Sequence, residues 1–175
     1  MLKHVKTKNK ETTYENNLSL IRVLIKKKKF DGFLTPQTDI HQAEYLEISG
    51  SRLEWLSGFS GSVGYGIIMH KTAALFVDGR YTLQLREEID TLIFEPVCLK
   101  DHSLADWLNR TCDKRKNKIG FNPWLFTCNQ IKEIELELSK HVVMCESDDI
   151  LEKFWKKKRV ASKKGIKIHQ QKYAG

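Results

Sequence analysis

The sequence predicts an α/β fold in which helices flank a mixed β-sheet. Short apolar runs typical of strands alternate with segments of helical periodicity along the 175 residues. Two of these runs, residues 65–70 and 73–78, are separated by a short polar turn and predict a β-hairpin, the antiparallel part of the sheet. The length suits one domain with a core of its own.

The first half of the chain predicts one long helix, one strand and two short helical pieces before the hairpin. Leu18, Ile21 and Leu24 recur at helical spacing within residues 13–29, which end in four lysines. Residues 32–35 predict a strand that ends at Pro36. The two helical pieces are predicted over residues 41–48 and 51–59.

The second half continues the alternation. After a turn at Asp78 and Gly79, residues 80–90 have helical periodicity. The predicted strands cover residues 91–97, 118–123 and 141–146. The predicted helices cover 103–110, capped by Ser103, then 125–140, and last 147–155, capped by Ser147.

The net charge of +8 is confined to the end of the chain, because residues 1–150 hold 21 basic and 21 acidic residues. Residues 151–175 hold nine basic residues and one acidic residue. We therefore predict a domain over residues 1–155 and a basic linker over 156–175 that leads to a further domain. The tail has no recognisable nucleic-acid module, so we expect no specific nucleic acid as partner.

Composition also bears on the compartment. No apolar run approaches the ~20 residues of a membrane span, and the first 17 residues are too polar for a secretory signal. We expect no membrane partner and a cytoplasmic protein. The four cysteines form no C-x-x-C pair, which disfavours a zinc site, and we expect free thiols that are mostly buried.

The stretch "SGFSGSVGYG", residues 57–66, contains four glycines and invites a search for a phosphate loop or a nucleophile. A Walker loop needs Lys-Ser or Lys-Thr after its last glycine, where this chain has Ile67 and Ile68. A dinucleotide fingerprint opens a helix, whereas these glycines precede a strand, and no G-x-S-x-G is present. We interpret the glycines as sites of tight turns and close backbone approach.

Three ordered motifs resemble the N-terminal (creatinase/prolidase-type) domain of cytosolic Xaa-Pro aminopeptidase. They are "DIHQAEY" at residues 39–45, "RLEWLSGFSGSVG" at 52–64 and "ALFVDGRYTLQ" at 74–84. "GFNPWLF" and the terminal "HQQKYAG" extend the resemblance over residues 15–175. Two departures are a proline-free segment after Trp155 and Tyr65, at a position where small residues are common in the family.

The resemblance implies one part of a metallopeptidase that removes the residue preceding proline at a peptide's N-terminus. In enzymes of the family, a C-terminal catalytic domain follows the N-terminal domain and binds two divalent ions, often manganese. The resemblance therefore implies that this chain has no metal site and no catalytic residue. We expect the 175 residues alone to be inactive, with a role in homodimer formation and in limiting and positioning substrate. An alternative is a protein-binding module of a catalytically inactive, chaperone-type relative.

The resemblance points to one substrate-binding residue, Arg80, which in similar enzymes faces a neighbouring subunit's catalytic site. An arginine fork suits carbonyl or carboxylate groups of a long peptide. The alternative is an ion pair between Arg80 and Asp78 that fixes the turn before the next helix. Both interpretations remain open from the sequence.

Overall fold

The computed structural model describes residues 3–43, 46, 51–155, 168 and 170–173 of the chain. The helices of this part are Lys3–Lys27 (α1), Arg52–Ser57 (α2), Thr82–Glu88 (α3), Leu104–Thr111 (α4), Cys128–Glu137 (α5) and Glu152–Trp155 (α6). Its strands are Gly32–Pro36 (β1), Tyr65–Met69 (β2), Ala73–Val77 (β3), Glu95–Cys98 (β4), Asn117–Phe121 (β5) and Val142–Glu146 (β6). The predicted linker over 156–175 lies largely outside the described residues, so that boundary remains a prediction.

The six strands form one mixed sheet in the order β4-β3-β2-β1-β5-β6. Strand β2 pairs antiparallel with both β1 and β3. The other pairs, β1 with β5, β5 with β6 and β3 with β4, are parallel. Five strands therefore share one direction and β2 opposes them, which confirms the predicted α/β fold with its antiparallel hairpin.

The sheet separates two hydrophobic cores because side chains of a strand point alternately to its two faces. Phe33 of β1 joins the core formed with α1, α2 and α3, and the next residue, Leu34, joins the core on the side of α4 and α5. In the second core Phe76 meets Trp107 edge to face, with ring centroids 5.9 Å apart. Among the described residues, no helix combines the length and apolar character of a membrane span.

Two local predictions, the hairpin turn and the cap at Ser103, are confirmed. The hairpin turn between β2 and β3 is closed by a hydrogen bond from Met69 N to Thr72 O. Ser103 caps α4, since its side chain accepts a hydrogen bond from Asp106 N at 3.1 Å. Helix α1 is longer than predicted and begins at Lys3. The helical piece predicted over 41–48 is wrong at its start, because residues 41–43 are not helical and Gln42 has a left-handed φ of 56°. Most of its remaining residues lie outside the described part of the chain.

The predicted strand over 91–97 is wrong at its start. Residues 91–93 form a turn in which Asp90 Oδ1 accepts a hydrogen bond from Leu92 N at 2.8 Å, and β4 begins at Glu95. The polar cap of that turn, rather than the apolar run, determines the local backbone.

The last two predicted helices also begin later than expected. Helix α5 starts at Cys128, where Thr127 and Gln130 form a capping box. The predicted cap at Ser147 is wrong, because the Ser147 hydroxyl donates to Asp148 O and α6 starts at Glu152. Instead, Asp149 Oδ1 accepts a hydrogen bond from Leu151 N, at 3.0 Å, and shapes the approach to α6.

Candidate functional site

The carboxyl ends of all the parallel strands lie at one edge of the sheet. The carboxyl ends of β1, β3, β4, β5 and β6 meet there, together with the start of β2 and the glycine-rich stretch that precedes it. In open α/β sheets, ligands bind outside the carboxyl ends of strands. This carboxyl edge is therefore the candidate functional region.

Asp78 follows β3 at the carboxyl edge and organises the turn that presents Arg80. Its carboxylate accepts a hydrogen bond from Arg80 N at 2.9 Å and so caps the short 3₁₀ turn Gly79–Tyr81. The Arg80 guanidinium also donates to this carboxylate, with Nη2 2.7 Å from Oδ2. The side-chain hydrogen bond from Arg80 is the main reason why the pKa of Asp78 is lowered.

The geometry at Arg80 contains features of both interpretations. The ion pair with Asp78 is present, as the structural alternative requires. The Arg80 side chain is nevertheless 69% exposed at the carboxyl edge, with Cζ 5.4 Å from the Tyr81 ring centroid. A surface ion pair of this kind contributes little to stability, and most of the Arg80 side chain is exposed to solvent.

The glycine-rich stretch is a structural element of the carboxyl edge. Gly58 ends α2 in the left-handed region at φ 89°, which is costly for other residues. At Gly64, a Cβ would lie 2.9 Å from Phe76 O, so only glycine lets the two backbones approach. These two positions agree with the sequence interpretation of turns and close approach.

The serines of this stretch anchor it to the neighbouring helix. Ser60 donates to Glu88 Oε1 through its hydroxyl and to Oε2 through its backbone N–H, both at 2.8 Å. The Ser62 and Tyr81 hydroxyls are hydrogen-bonded at 2.8 Å. These contacts couple the glycine-rich stretch to α3 and to the Arg80 turn.

Two clefts open at the carboxyl edge and share Tyr65 and Gln130 as a common wall. The first, about 260 Å³, lies between the end of β1 and the glycine-rich stretch. The second, about 230 Å³, lies between α4 and α5. We call the two together the edge groove. Its residues are Pro36, Gln37, Thr38, Gln42, Ala43, Ser62, Val63, Gly64, Tyr65, Leu99, Ser103, Leu104, Ala105, Leu125, Gln130, Glu133, Ile134 and Glu137.

Tyr65, the departure noted in the sequence, fits its surroundings. Its ring stacks on Phe126 with centroids 6.3 Å apart and planes at 15°. Burial, and then the nearby charge of Glu133, raise the pKa of its hydroxyl. The larger side chain is thus accommodated, and it forms the wall between the two halves of the edge groove.

Sequence reasoning missed a buried ion pair beneath the carboxyl edge. Arg52 Nε lies 2.9 Å from Asp149 Oδ2, and their side chains are 4% and 2% exposed. Arg52 Nη1 also donates to Thr38 O at 2.7 Å. The pair therefore connects α2, the segment after β1 and the approach to α6. The only signal was the position of Arg52 at the start of a family motif.

The described residues do not fit a metal centre. They contain no group of three or more His, Cys, Asp or Glu side chains that could hold an ion. The four cysteines are free thiols, and the expectation that most are buried is wrong, since Cys112 is buried and Cys128 is exposed while the other two are intermediate. Burial raises the pKa of Cys112 from 9.0 to about 11.

The fold and its carboxyl edge define a domain of a known class. Residues 18–154 match the creatinase/prolidase N-terminal domain family, and the chain belongs to this family. Among its relatives is a protein of Penicillium rubens named "Probable Xaa-Pro aminopeptidase P", 31% identical over 166 residues. A protein of the same name from Aspergillus oryzae is 30% identical over 166 residues.

These matches cover 90% of this chain but 26% and 25% of the respective relatives. The chain thus spans about a quarter of the length of the curated relatives it matches.

Solved structures agree with this assignment. The X-prolyl aminopeptidase of Caenorhabditis elegans, described as a cytosolic enzyme with a di-nuclear active site, matches with a TM-score of 0.73 and 26% identity. The match covers 83% of this chain and 26% of that one. The N-terminal domain of a cytoplasmic peptidase from Mycobacterium tuberculosis matches with a TM-score of 0.63 over 79% of this chain and 97% of its own. At 20% identity, this second match shows the fold alone.

Proposed function

We propose that this chain is the non-catalytic N-terminal domain of a metal-dependent Xaa-Pro aminopeptidase, which removes the residue preceding proline from the N-terminus of peptides. The observation that carries the proposal is the match of nearly the whole chain to one quarter of the Xaa-Pro aminopeptidase P relatives. The match of residues 18–154 to a family described as an N-terminal domain adds support. A catalytic domain, connected through the basic residues 156–175, would supply two divalent ions, with manganese as the expected metal.

The role of the domain would be to position and limit the substrate at the mouth of a neighbouring subunit's active site. Arg80 supports this role because it is accessible at the carboxyl edge, at the end of a turn held by Asp78. A planar fork can hold carbonyl groups of a peptide or its terminal carboxylate. We further propose a homodimer in the cytosol, in which two chains complete each other's substrate channel.

The first test compares the 175-residue chain with a longer polypeptide that carries the proposed catalytic domain. Hydrolysis of an Ala-Pro-Ala tripeptide is measured with Mn²⁺ and with a chelator. We expect turnover only from the longer polypeptide with metal. Turnover by the purified 175 residues would contradict the assignment as non-catalytic. A folded, metal-loaded longer polypeptide without turnover would favour the alternative of an inactive protein-binding module.

A second test addresses Arg80 in the longer polypeptide. Arg80→Ala should reduce hydrolysis of long Xaa-Pro peptides more than hydrolysis of dipeptides, and Arg80→Lys should restore it poorly because an ammonium does not replace a fork. Folding stability should change by no more than about 0.5 kcal/mol, as for most surface substitutions. Unchanged activity together with a clear loss of stability would make Arg80 a structural residue.

A further inference from the structure

The two outermost strands of the sheet differ in how well their free sides suit pairing with another strand. Strands β4 and β6 end the strand order, so each has a strand on one side only in the described sheet. Leu99 N, just after β4, donates to Val77 O at 2.9 Å. Because backbone groups alternate along a strand, those of Pro96 and Cys98 face away from β3. Pro96 has no N–H, and Cys98 O already accepts a hydrogen bond from Asp101 N, which blunts the free side of β4.

The hydrogen bonds that flank β6 determine which of its backbone groups are turned outward. His141 O accepts from β5 at 2.7 Å, and Ser147 N donates to β5 at 2.8 Å. The odd-numbered residues of β6 therefore bond to β5, and the backbone groups of Val142, Met144 and Glu146 face away from it. We call these outward backbone groups the open side of β6.

The open side of β6 lacks the protection found on β4. The strand contains no proline, and its one charged residue is Glu146. Val142 N already donates to Ser139 O at 2.9 Å. In the described part of the chain, no strand lies beside Met144 and Glu146 on this side, so the N–H and C=O of both residues can pair with another strand.

A second copy of the chain can pair with the open side in a register that is the same for both copies. A two-fold axis at Met144 makes the two β6 strands antiparallel, and all five residues of each strand overlap. Met144 then exchanges N–H···O=C bonds with its counterpart, and Glu146 N–H meets Val142 O of the copy. The half-exposed Val143 and Cys145 lie opposite each other. No like charges oppose one another within the strands.

The charges beside β6 favour this register. Lys140 lies two residues before the strand and Asp148 two residues after it, and both are exposed. The axis at Met144 brings each Lys140 near Asp148 of the copy, which forms two opposite-charge pairs across the contact. An axis shifted by one residue toward the end of the strand would bring Lys140 opposite Ile150 instead. The Lys28 ammonium, 3.7 Å from the Asp148 carboxylate, leaves that side chain 94% exposed.

We propose that the open side of β6 binds the same side of a second copy of this chain, so that the two sheets become one continuous sheet. Two five-residue strands give a small contact, so the dimer is weak and forms at high protein concentration. The inference goes beyond the proposed function, because it depends only on the backbone and surface charges of this domain.

The first test measures self-association of the 175-residue chain by sedimentation velocity, from about 10 μM to about 1 mM. We expect monomer at the low end and a species of twice the monomer mass at the high end. A chain that stays monomeric throughout would overturn the proposal. Since no hydrolysis is measured, this failure is distinct from a failure of the proposed function.

Amide hydrogen exchange of the ¹⁵N-labelled chain shows whether β6 forms the contact. At low concentration the amides of Val143 and Cys145 should exchange slowly, because β5 accepts their hydrogen bonds. The amides of Met144 and Glu146 should exchange quickly and should become slower in proportion to the dimer formed. A dimer in which these two amides still exchange quickly would overturn the proposal.

Two charge-reversal variants test the register. Lys140→Glu and Asp148→Lys each replace attraction by repulsion at both ends of the contact, so each alone should raise the dimer dissociation constant about tenfold. An equimolar mixture of the two variants should recover most of the lost affinity, because every facing pair then has opposite charges. Lys100→Glu, the same charge change at an exposed residue after β4, should have no effect. A mixture no tighter than either variant alone, or an equal effect of Lys100→Glu, would overturn the proposal.

Discussion

Replacing Asp149 with alanine should destabilise the domain strongly, because it removes the buried carboxylate that pairs with the Arg52 guanidinium. The two side chains are 4% and 2% exposed, and their closest atoms are 2.9 Å apart. Removing one partner of a buried pair costs about 3–5 kcal/mol. The backbone N–H of Leu151 also loses its acceptor, which adds about 1 kcal/mol. Because the free energy of unfolding of a domain is about 5–15 kcal/mol, this loss is a large part of its stability.

The assay is urea unfolding at 25 °C, followed by tryptophan fluorescence. The adjacent Asp148 offers a matched control, since its side chain is 94% exposed and lies 3.7 Å from Lys28 Nζ. Asp148→Ala should cost less than about 1 kcal/mol. Replacing both members of the buried pair, Arg52→Met with Asp149→Leu, should recover much of the loss because no charge remains buried. If Asp149→Ala costs no more than Asp148→Ala, the reasoning about the buried pair is refuted.

Three further predictions follow from single side chains. Arg80→Ala should raise the lowered pKa of Asp78 toward its ordinary value of 3.8, because the side-chain hydrogen bond is lost. The lowered pKa contributes stability that is present above pH 3.8 and is lost as pH falls through the folded pKa, so near neutral pH the variant should lose a small amount, within the ~0.5 kcal/mol expected of a surface substitution. An unchanged carboxyl titration by NMR would contradict this. Thr35→Val should stabilise the domain by about 1 kcal/mol in the same urea assay, because the buried Thr35 hydroxyl has no hydrogen-bond partner among the described residues; Thr35→Ser, which keeps the hydroxyl, should not. At pH 8 an alkylating reagent should modify the exposed Cys128 well before Cys112, whose pKa is about 11, and peptide mapping that finds equal rates would oppose the assigned burial.

Local signals predicted the elements whose structure depends on neighbouring residues. The hairpin followed from two apolar runs with a short turn, and Ser103 was identified as a cap because a hydroxyl there can reach the first free N–H groups. The same rule failed at Ser147, since Asp149 shapes the backbone two residues later. The start of α5 was predictable from Thr127 and Gln130, whose spacing is typical of a capping box.

The candidate site was only partly predictable, because most of it depends on distant parts of the chain. The position of Arg80 follows from a short turn after a strand, which the sequence indicates. The ion pair between Arg52 and Asp149 joins residues 97 positions apart, and the hydrophobic periodicity of a sequence does not predict such a contact. The edge groove exists because β2 and α5 bring Tyr65 and Gln130 together, which requires the complete sheet.

The central position of β1 has a consequence for synthesis of the chain on the ribosome. Strand β1 pairs with β2 early, but its other neighbour, β5, comes much later, as the hydrogen bond from Lys118 N to Asp31 across 87 residues illustrates. Until β5 emerges, the nascent four-stranded sheet has an unpaired, apolar edge at Phe33 and Leu34. Unpaired edges of this kind associate with other chains. A nascent chain that stalls before Asn117 should therefore depend on chaperones to avoid aggregation. A chain released after Glu146 already contains β5, which pairs with β1, and β6, which pairs with β5.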